Sequence, residues 1–482
     1  MDEQQALAGF PVAVSVTASL VRDAAAQLGT VQIVLDDDPT GTQSVANLPV
    51  LTHWDRSDFD WALARNAPAI YVLTNTRSLD EQQATERNEQ IVANASASAK
   101  KLGITLSFVS RSDSTLRGHY PLETDVIAQT LKATTGERVD GVVIVPAFPD
   151  AGRITIDGVH YMRSAGELTP IAETEFARDA TFGYSSSSLA AWVEEKSAGR
   201  YRQEDVVILD LGIVREGAYA IAEVLAFVTE STPIVADAVT EDDLRLLSLG
   251  LIEAESRGKR FLYRVGPPFV RARVGQEIKA PLTVDEIFRD ATPTATGGLI
   301  VVGSHVGLTT RQLARLKAER PDATSVEVDV NEIIGTENAS EYLSIVSSDI
   351  IEALVAGDVI VNTSRTLKRS DDPAESLDIS RRVSAALVTI VQRALAAHPP
   401  RFVIAKGGIT SSDVASLGLA IRHAIVRGPM LPGIVSLWQP VDGPAVGIPY
   451  VVFAGNVGDD ESLVSVVATL SATVSTHTPA HH

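Results

Sequence analysis

Short, β-branched apolar runs recur along the whole chain, each separated from the next by a stretch with helical character. This alternation restricts the fold more than any other feature. VQIVLD (31–36), AIYVLTN (69–75), TLSFVS (105–110), GVVIVPA (141–147) and DVVILDL (205–211) alternate with segments such as EQQATERNEQIVANASASAKKLG (81–103). Runs that are apolar on both faces and joined through helices form mostly parallel sheets covered by helices. A second series, GLIVVGS (298–304), TSVEVDV (324–330), DVIVNTS (358–364), RFVIAKGG (401–408) and PYVVFAGN (449–456), follows the loop ATPTATGG (291–298). At 482 residues the chain exceeds the size of a single core. The expected fold class is therefore α/β, with two α/β domains at 1–290 and 291–475, and the closing THTPAHH as a frayed tail.

Composition narrows the function classes. With 41 Lys+Arg against 61 Asp+Glu the formal net charge is −20, a field that repels nucleic acid and anionic membrane surfaces in the absence of a basic patch. There is no cysteine, which removes thiolate nucleophiles, disulfides and Cys-ligated zinc. The N-terminus MDEQQALAGFPVAVSV is acidic where a secretory signal is basic, and no apolar run reaches membrane-spanning length. A cytoplasmic protein with no nucleic-acid or membrane partner is expected.

In open α/β sheets, ligands bind beyond the carboxyl ends of the strands. The first such end reads VLDDDPTGTQS (34–44), and three adjacent carboxylates at the end of a buried strand call for a partner, a ligand or a metal. RSDSTLRGH (111–119) packs Arg111, Asp113, Ser114, Thr115 and Arg117 behind another strand. The arginine fork suits a carboxylate, and Ser, Thr and Asp suit sugar hydroxyls. VPAFPDAGRITIDGVHY (145–161) adds Arg153 and His160. Taken singly, each arginine reads as an ion pair with a neighbouring aspartate and His160 as a hydrogen-bonded structural residue. Several such clusters in one domain point to a pocket for a small polyhydroxy acid.

The second series carries a different chemistry. In KGGITSSDVASLGLAIRHA (406–424), two glycines precede Thr410, Ser411, Ser412 and Asp413, and an amphipathic helix is expected to follow. Glycines admit phosphate close to the backbone, and the first turn of a helix offers free N–H groups. Gly303 and Ser304 repeat the pattern before Thr309 and Thr310. Neither G-x-x-x-x-G-K-[ST] nor G-x-G-x-x-G after the first strand occurs, so neither a P-loop enzyme nor a standard dinucleotide-binding dehydrogenase is supported.

Read in order, Asp-Asp-x-Thr-Gly at Asp37 to Gly41, D-S-T-x-R-G at Asp113 to Gly118, P-A-F-P-x-x-G-R at Pro146 to Arg153, Gly303-Ser304, G-G-x-T-S at Gly407 to Ser411 and G-N-x-G at Gly455 to Gly458 resemble the four-carbon acid sugar kinases. That resemblance covers nearly the whole chain. It implies phosphorylation of threonate, erythronate or 3-oxo-tetronate with ATP and Mg2+, in a cleft between a sugar-acid-binding N-terminal domain and an ATP-binding C-terminal domain. It allows a homo-oligomer. The alternatives are a kinase of a branched acid such as 3-oxo-isoapionate, or a non-catalytic sugar-acid-binding protein.

On this reading Asp37 and Asp38 are the catalytic pair. Either one accepts the hydroxyl proton while the other binds sugar hydroxyls or the shell of the magnesium, or neither is the base and the pair only holds the substrate; Asp36 ends the strand. Arg111, Asp113, Ser114, Thr115, Arg117 and Arg153 bind the acid. ATP falls to Gly303 and Ser304, to Lys406, Gly407, Gly408, Ile409 and Thr410, and to Gly455 and Asn456. One departure stands out: many relatives carry a lysine shortly before the last glycine element, where this chain has Ala454. The phosphate-neutralising charge is then absent or supplied by Lys406.

Overall fold

A computed structural model describes residues 1–289, 297–334, 338–364 and 373–474. The chain falls into two compact units, Met1–Ile278 and Lys279–His482. The expected boundary near residue 290, most of the loop ATPTATGG and the tail THTPAHH lie outside the described residues.

Among the described residues, the N-terminal unit holds eleven strands: β1 (Thr30–Asp36), β2 (Leu48–Leu51), β3 (Ala69–Leu73), β4 (Thr105–Arg111), β5 (Gly141–Val145), β6 (Arg153–Ile156), β7 (Val159–Ser164), β8 (Glu167–Pro170), β9 (Val207–Leu209), β10 (Thr232–Ala236) and β11 (Phe261–Val265). Eight of them form one sheet in the order β2-β3-β1-β4-β11-β5-β10-β9, and every pairing is parallel. The central strands are apolar on both faces and buried, as the run pattern requires. The helix Glu81–Leu102 starts at the Asp80 cap and stops at Gly103, whose φ of 69° takes the left-handed turn that closes helices. β6, β7 and β8 form a small antiparallel sheet.

The C-terminal unit has β12 (Leu299–Val302), β13 (Thr324–Val328), β14 (Val359–Thr363), β15 (Val403–Lys406), β16 (His423–Leu431), β17 (Val435–Pro440) and β18 (Tyr450–Phe453). Their order is β13-β14-β12-β15-β18-β17-β16, parallel from β13 to β18 and antiparallel beyond.

Both sheets reverse direction beside their first strand. In the N-terminal unit the chain runs from β1 to β2 and β3 on one side, then crosses to β4 on the other. The C-terminal unit repeats this with β12, then β13 and β14, then β15. Such a switch point opens a crevice beyond the carboxyl ends of the two central strands. Asp36 and Arg111 end β1 and β4, while Gly303 and Gly407 follow β12 and β15.

The structure departs from the sequence expectation in two places. VPAFPDAGRITIDGVHY, read as a polar strand end, contains β6 and the start of β7, whose polar and apolar residues alternate with the period of a strand and whose polar Thr155 and His160 are buried against each other. The helix expected after Gly407 is short. It spans Gly408–Asp413, passes into a π turn at Val414–Gly418 and gives way to β16. Gly418 lies against Val391, where a Cβ would come within 3.1 Å, and Ala420 turns the chain at a φ of 49°.

The N-terminal unit also depends on a buried ion pair. Arg215 donates through Nε and Nη2 to Asp243 at 2.8 and 3.1 Å, tying the helix Leu211–Glu216 to Glu241–Ser256. Arg215→Met leaves Asp243 charged and buried, so it is expected to cost about 3 kcal/mol. Calorimetry should show a thermal midpoint lowered by several degrees; an unchanged midpoint would contradict this role.

Candidate active site

The three aspartates take three different environments. Asp36 and Arg111 are register partners across β1 and β4, and their buried side chains are hydrogen-bonded, Arg111 Nε donating to Asp36. Arg111 also donates to the carbonyl of Asp38 and reaches Asp37 at 3.2 Å, so its fork is turned onto the aspartate turn. Asp37 is buried and receives Arg77 through Nη2 at 2.6 Å and Nε at 3.2 Å. Asp38 caps the turn Pro39–Ser44, accepting from the Thr40 backbone at 2.9 Å and the Thr40 hydroxyl at 2.6 Å. Gly41 lets this turn close: a Cβ there would collide with the Asp36 carboxylate and the Arg111 guanidinium.

The charges follow from this packing. Burial pushes the Asp36 carboxyl up to about 8, opposed by Arg111 and aided by the charges of Asp37 and Asp38. For Asp38 burial acts upward too, but Arg77 and Arg111 outweigh it and hold the carboxyl below its ordinary range. Burial alone would lower the Arg77 guanidinium; Asp37, Asp38 and Asp113 hold it well above its ordinary value.

The loop from Arg111 to His119 is fixed from beneath. His160 is fully buried, bonded to the Thr155 hydroxyl at 2.9 Å and the Ser114 carbonyl at 2.8 Å, and burial lowers it to about 4, so it is a neutral structural residue. The Tyr184 hydroxyl donates to the Thr115 carbonyl at 2.8 Å. Asp113 accepts from the Thr115 hydroxyl and from Arg117 Nε. Burial would raise Asp113, but Arg117 and Arg77 hold it well below the usual carboxylate range. Arg117 also reaches Asp179 at 3.5 Å and lies 5.2 Å from the Phe176 ring. Ser114 is buried. Arg153 sits at the start of β6 with its guanidinium 6.0 Å from the same ring.

Several residues that the sequence reading missed complete this end of the sheet. Arg77 follows β3, within reach of the rule that singles out strand ends. Glu123 accepts from the Thr76 hydroxyl at 2.5 Å and lies 3.6 Å from Arg264. Burial, with the Asp37 charge adding, raises the Glu123 carboxyl. Gly118, at a φ of 120°, leaves space where a Cβ would stand 3.2 Å from Asp37 Oδ2 and 3.4 Å from Arg264 Nη2. Glu123 and Arg264 lie inside a helix and a strand that carry no motif.

In the C-terminal unit three glycine turns converge. A Cβ on Gly303 would collide with the Thr410 hydroxyl; one on Gly407, whose φ is 126°, would lie 3.2 Å from Ser304 Cβ and 3.3 Å from Thr410 Oγ1. One on Gly455 would lie 2.5 Å from Ser304 Oγ. The Thr309 hydroxyl donates to the Gly455 carbonyl at 2.8 Å. Asn456 and Ile409 are exposed beside these turns, and Gly408 is half-buried. Lys406 points inward. It is fully buried, donates to the Ala454 carbonyl at 2.9 Å and lies 3.8 Å from the Phe453 ring, and burial lowers it to about 7. Among the described residues no three His, Asp or Glu side chains are grouped to hold a metal ion, and no helix is long and apolar enough to cross a membrane.

Asp36 carries a pH signature. Its folded value, about 8, lies above its ordinary 3.8, so the stability it contributes is full below about 4 and is lost as pH rises through about 8. Between pH 6 and pH 9 the protein is expected to lose about 2 kcal/mol more than Asp36→Asn does. Denaturant unfolding at the two pH values measures this, and equal losses would contradict the protonated Asp36.

Two family models match the chain: a sugar-binding N-terminal domain over residues 32–273 and a nucleotide-binding C-terminal domain over residues 299–463. A D-erythronate kinase of Heliobacterium modesticaldum is 25% identical over 427 residues, covering 85% of this chain and 88% of that protein. Among solved structures, a Salmonella typhimurium LT2 protein provisionally described as a tRNA synthase superposes with a TM-score of 0.65 at 19% identity, over 90% of this chain and 98% of its own. A Haemophilus influenzae protein does so with a TM-score of 0.60 at 18% identity, over 91% of this chain and 100% of its own. At these identities the two structures speak for the fold. The two domain matches, which together span both units, carry the assignment: the chain belongs to the four-carbon acid sugar kinase family.

Proposed function

We propose that this phosphotransferase moves the γ-phosphoryl group of ATP to a hydroxyl of a small four-carbon sugar acid such as erythronate, threonate or 3-oxo-tetronate. The observation that supports this most is the placement of both motif sets at the switch points of their sheets, carboxylates and guanidiniums in one unit and bare glycine backbone in the other. The D-erythronate kinase likeness points to the same substrate class.

In this proposal Asp37, held by Arg77 and Arg111, accepts the proton of the attacking hydroxyl or orients it. Asp38 keeps the turn closed through Thr40. The acid lies along Asp113, Ser114, Thr115 and Arg153, while Arg117 holds Asp113 in place and Arg111 acts through the aspartates it binds. The triphosphate rests on Gly303, Ser304, Gly407, Gly408, Thr410, Gly455 and Asn456, with Ile409 beside it. Lys406 serves by holding the Ala454 carbonyl, and so the last glycine turn. Mg2+ carried on the phosphates would neutralise the transferring group, a mode that asks for only one or two protein oxygens. In this proposal the Thr410 hydroxyl, close to Gly303 and Gly407, would supply one. A metabolic kinase of this kind works where ATP is, in the cytoplasm, and the net charge of −20 speaks against a nucleic-acid partner.

A coupled ADP-release screen over erythronates, threonates and their 3-oxo forms tests the substrate class: at least one acid should release ADP stoichiometrically, and release with none would overturn the proposal. Asp37→Asn is expected to lower kcat by about 10²-fold or more with both substrates still bound, the scale for losing a general base. Normal turnover would remove Asp37 from catalysis. Gly408→Val should raise KM for ATP far more than KM for the acid; the reverse pattern would contradict the division of labour between the units.

A further inference from the structure

The charged groups of the N-terminal site form a continuous ladder in which most members are matched. Arg111 meets Asp36, Arg77 meets Asp37 and Asp38, and Arg117 meets Asp113 and Asp179. Arg153 is the exception. Among the described residues no ion pair engages its side chain, and its buried Nε has no hydrogen-bond partner. Burial lowers its guanidinium, with the nearby charge of Asp113 only partly opposing and Arg117 adding to the loss. Leaving a buried guanidinium donor unmatched costs free energy and calls for an explanation, of which an anion bound there is one.

Its position is rigid. The turn that delivers it is closed by backbone bonds from Phe148 N to Arg153 O at 2.8 Å and from Arg153 N to Phe148 O at 3.0 Å. Gly152, at a φ of 74°, packs so closely that a Cβ would meet the Arg163 carbonyl at 2.7 Å. The Phe176 ring, on the turn Glu175–Arg178, supports both Arg153 and Arg117, which keeps the two planar groups on one surface. That segment is tied back to the Ser114–Thr115 loop through Tyr184. A cation held this way can discriminate a planar anion from a neutral group of the same shape.

We infer that Arg153 is the specificity-determining residue that receives the carboxylate of the acid, with Phe176 as its platform, while Arg117 is a framework ion pair. The inference rests on the proposed function only for the identity of the acid. Asp37 and Arg153 then mark the two ends of the substrate, the hydroxyl that reacts and the carboxylate that is recognised. The site takes an acid and refuses the corresponding neutral polyol, amide or lactone.

The test compares D-erythronate with its neutral primary amide by titration calorimetry on the full chain without nucleotide. The wild-type protein should prefer the acid by about 30-fold or more, the scale of a charge-assisted hydrogen-bonded pair. Arg153→Met should abolish that preference by weakening the acid alone, and Arg153→Lys should retain part of it, which also covers the case in which the methionine variant does not fold. A wild-type protein without preference, or an Arg153→Met variant that keeps it, would overturn the inference, as would equal weakening of acid and amide. If the preference behaves as expected but no acid releases ADP, the kinase reading fails and the carboxylate anchor stands.

Discussion

The buried hydrogen-bonded contact between Arg111 and Asp36 is the constraint on which the N-terminal site depends. The register of β1 against β4 places the two residues opposite each other at the strand ends, inside a sheet covered on both faces. The Arg111 guanidinium buried there needs acceptors, and stripping a buried charge of its partners costs several kcal/mol. Because Arg111 meets Asp36 and also grips the Asp38 carbonyl, the next two residues have no freedom of direction. Asp37 is turned toward Arg77, Asp38 back onto Thr40. Three like charges in sequence are thereby separated into an anchor, a site carboxylate and a cap, which answers how a chain tolerates them at one strand end.

The C-terminal unit is built in another way. Where the first switch point is crowded with side-chain charge, the second is bare, and its close approaches are made by backbone at Gly303, Gly407 and Gly455. Lys406 is register partner to Phe453, lies against its ring and holds the turn from below. A lysine buried so deeply supports a loop better than it neutralises a phosphate, because desolvation weakens the very charge it would offer. With alanine at 454, the proposed triphosphate site would rely on backbone N–H groups and hydroxyls rather than on a lysine there.

Much of this was legible in the sequence, for reasons that are physical. The parallel strands of both units were readable because strands buried on both faces are continuous apolar runs, and the motif residues were readable because such sheets expose their loops at the carboxyl ends. Arg77 was legible by the same rule and was passed over. β6, β7 and β16 were not, since polar residues such as Arg153, Thr155, His160 and Arg427 interrupt their apolar runs and make them resemble loops. Glu123 and Arg264 were hidden because their roles come from pairing across helix Leu122–Thr135 and β11, a proximity that no local pattern encodes. The matched state of Arg117 and the unmatched state of Arg153 were equally invisible, for two arginines in polar loops differ only in what the fold brings to them.

The central claim, that one unit holds the acid by charge and the other holds the triphosphate by backbone, is tested most directly by a crystal structure with a four-carbon acid and a non-hydrolysable ATP analogue. The account predicts an acid hydroxyl in hydrogen-bond contact with Asp37, the acid carboxylate on Arg153, and the phosphates against the turns at Gly303, Gly407 and Gly455. An acid bound away from Asp37, or a triphosphate lying on the arginines of the N-terminal unit, would contradict it.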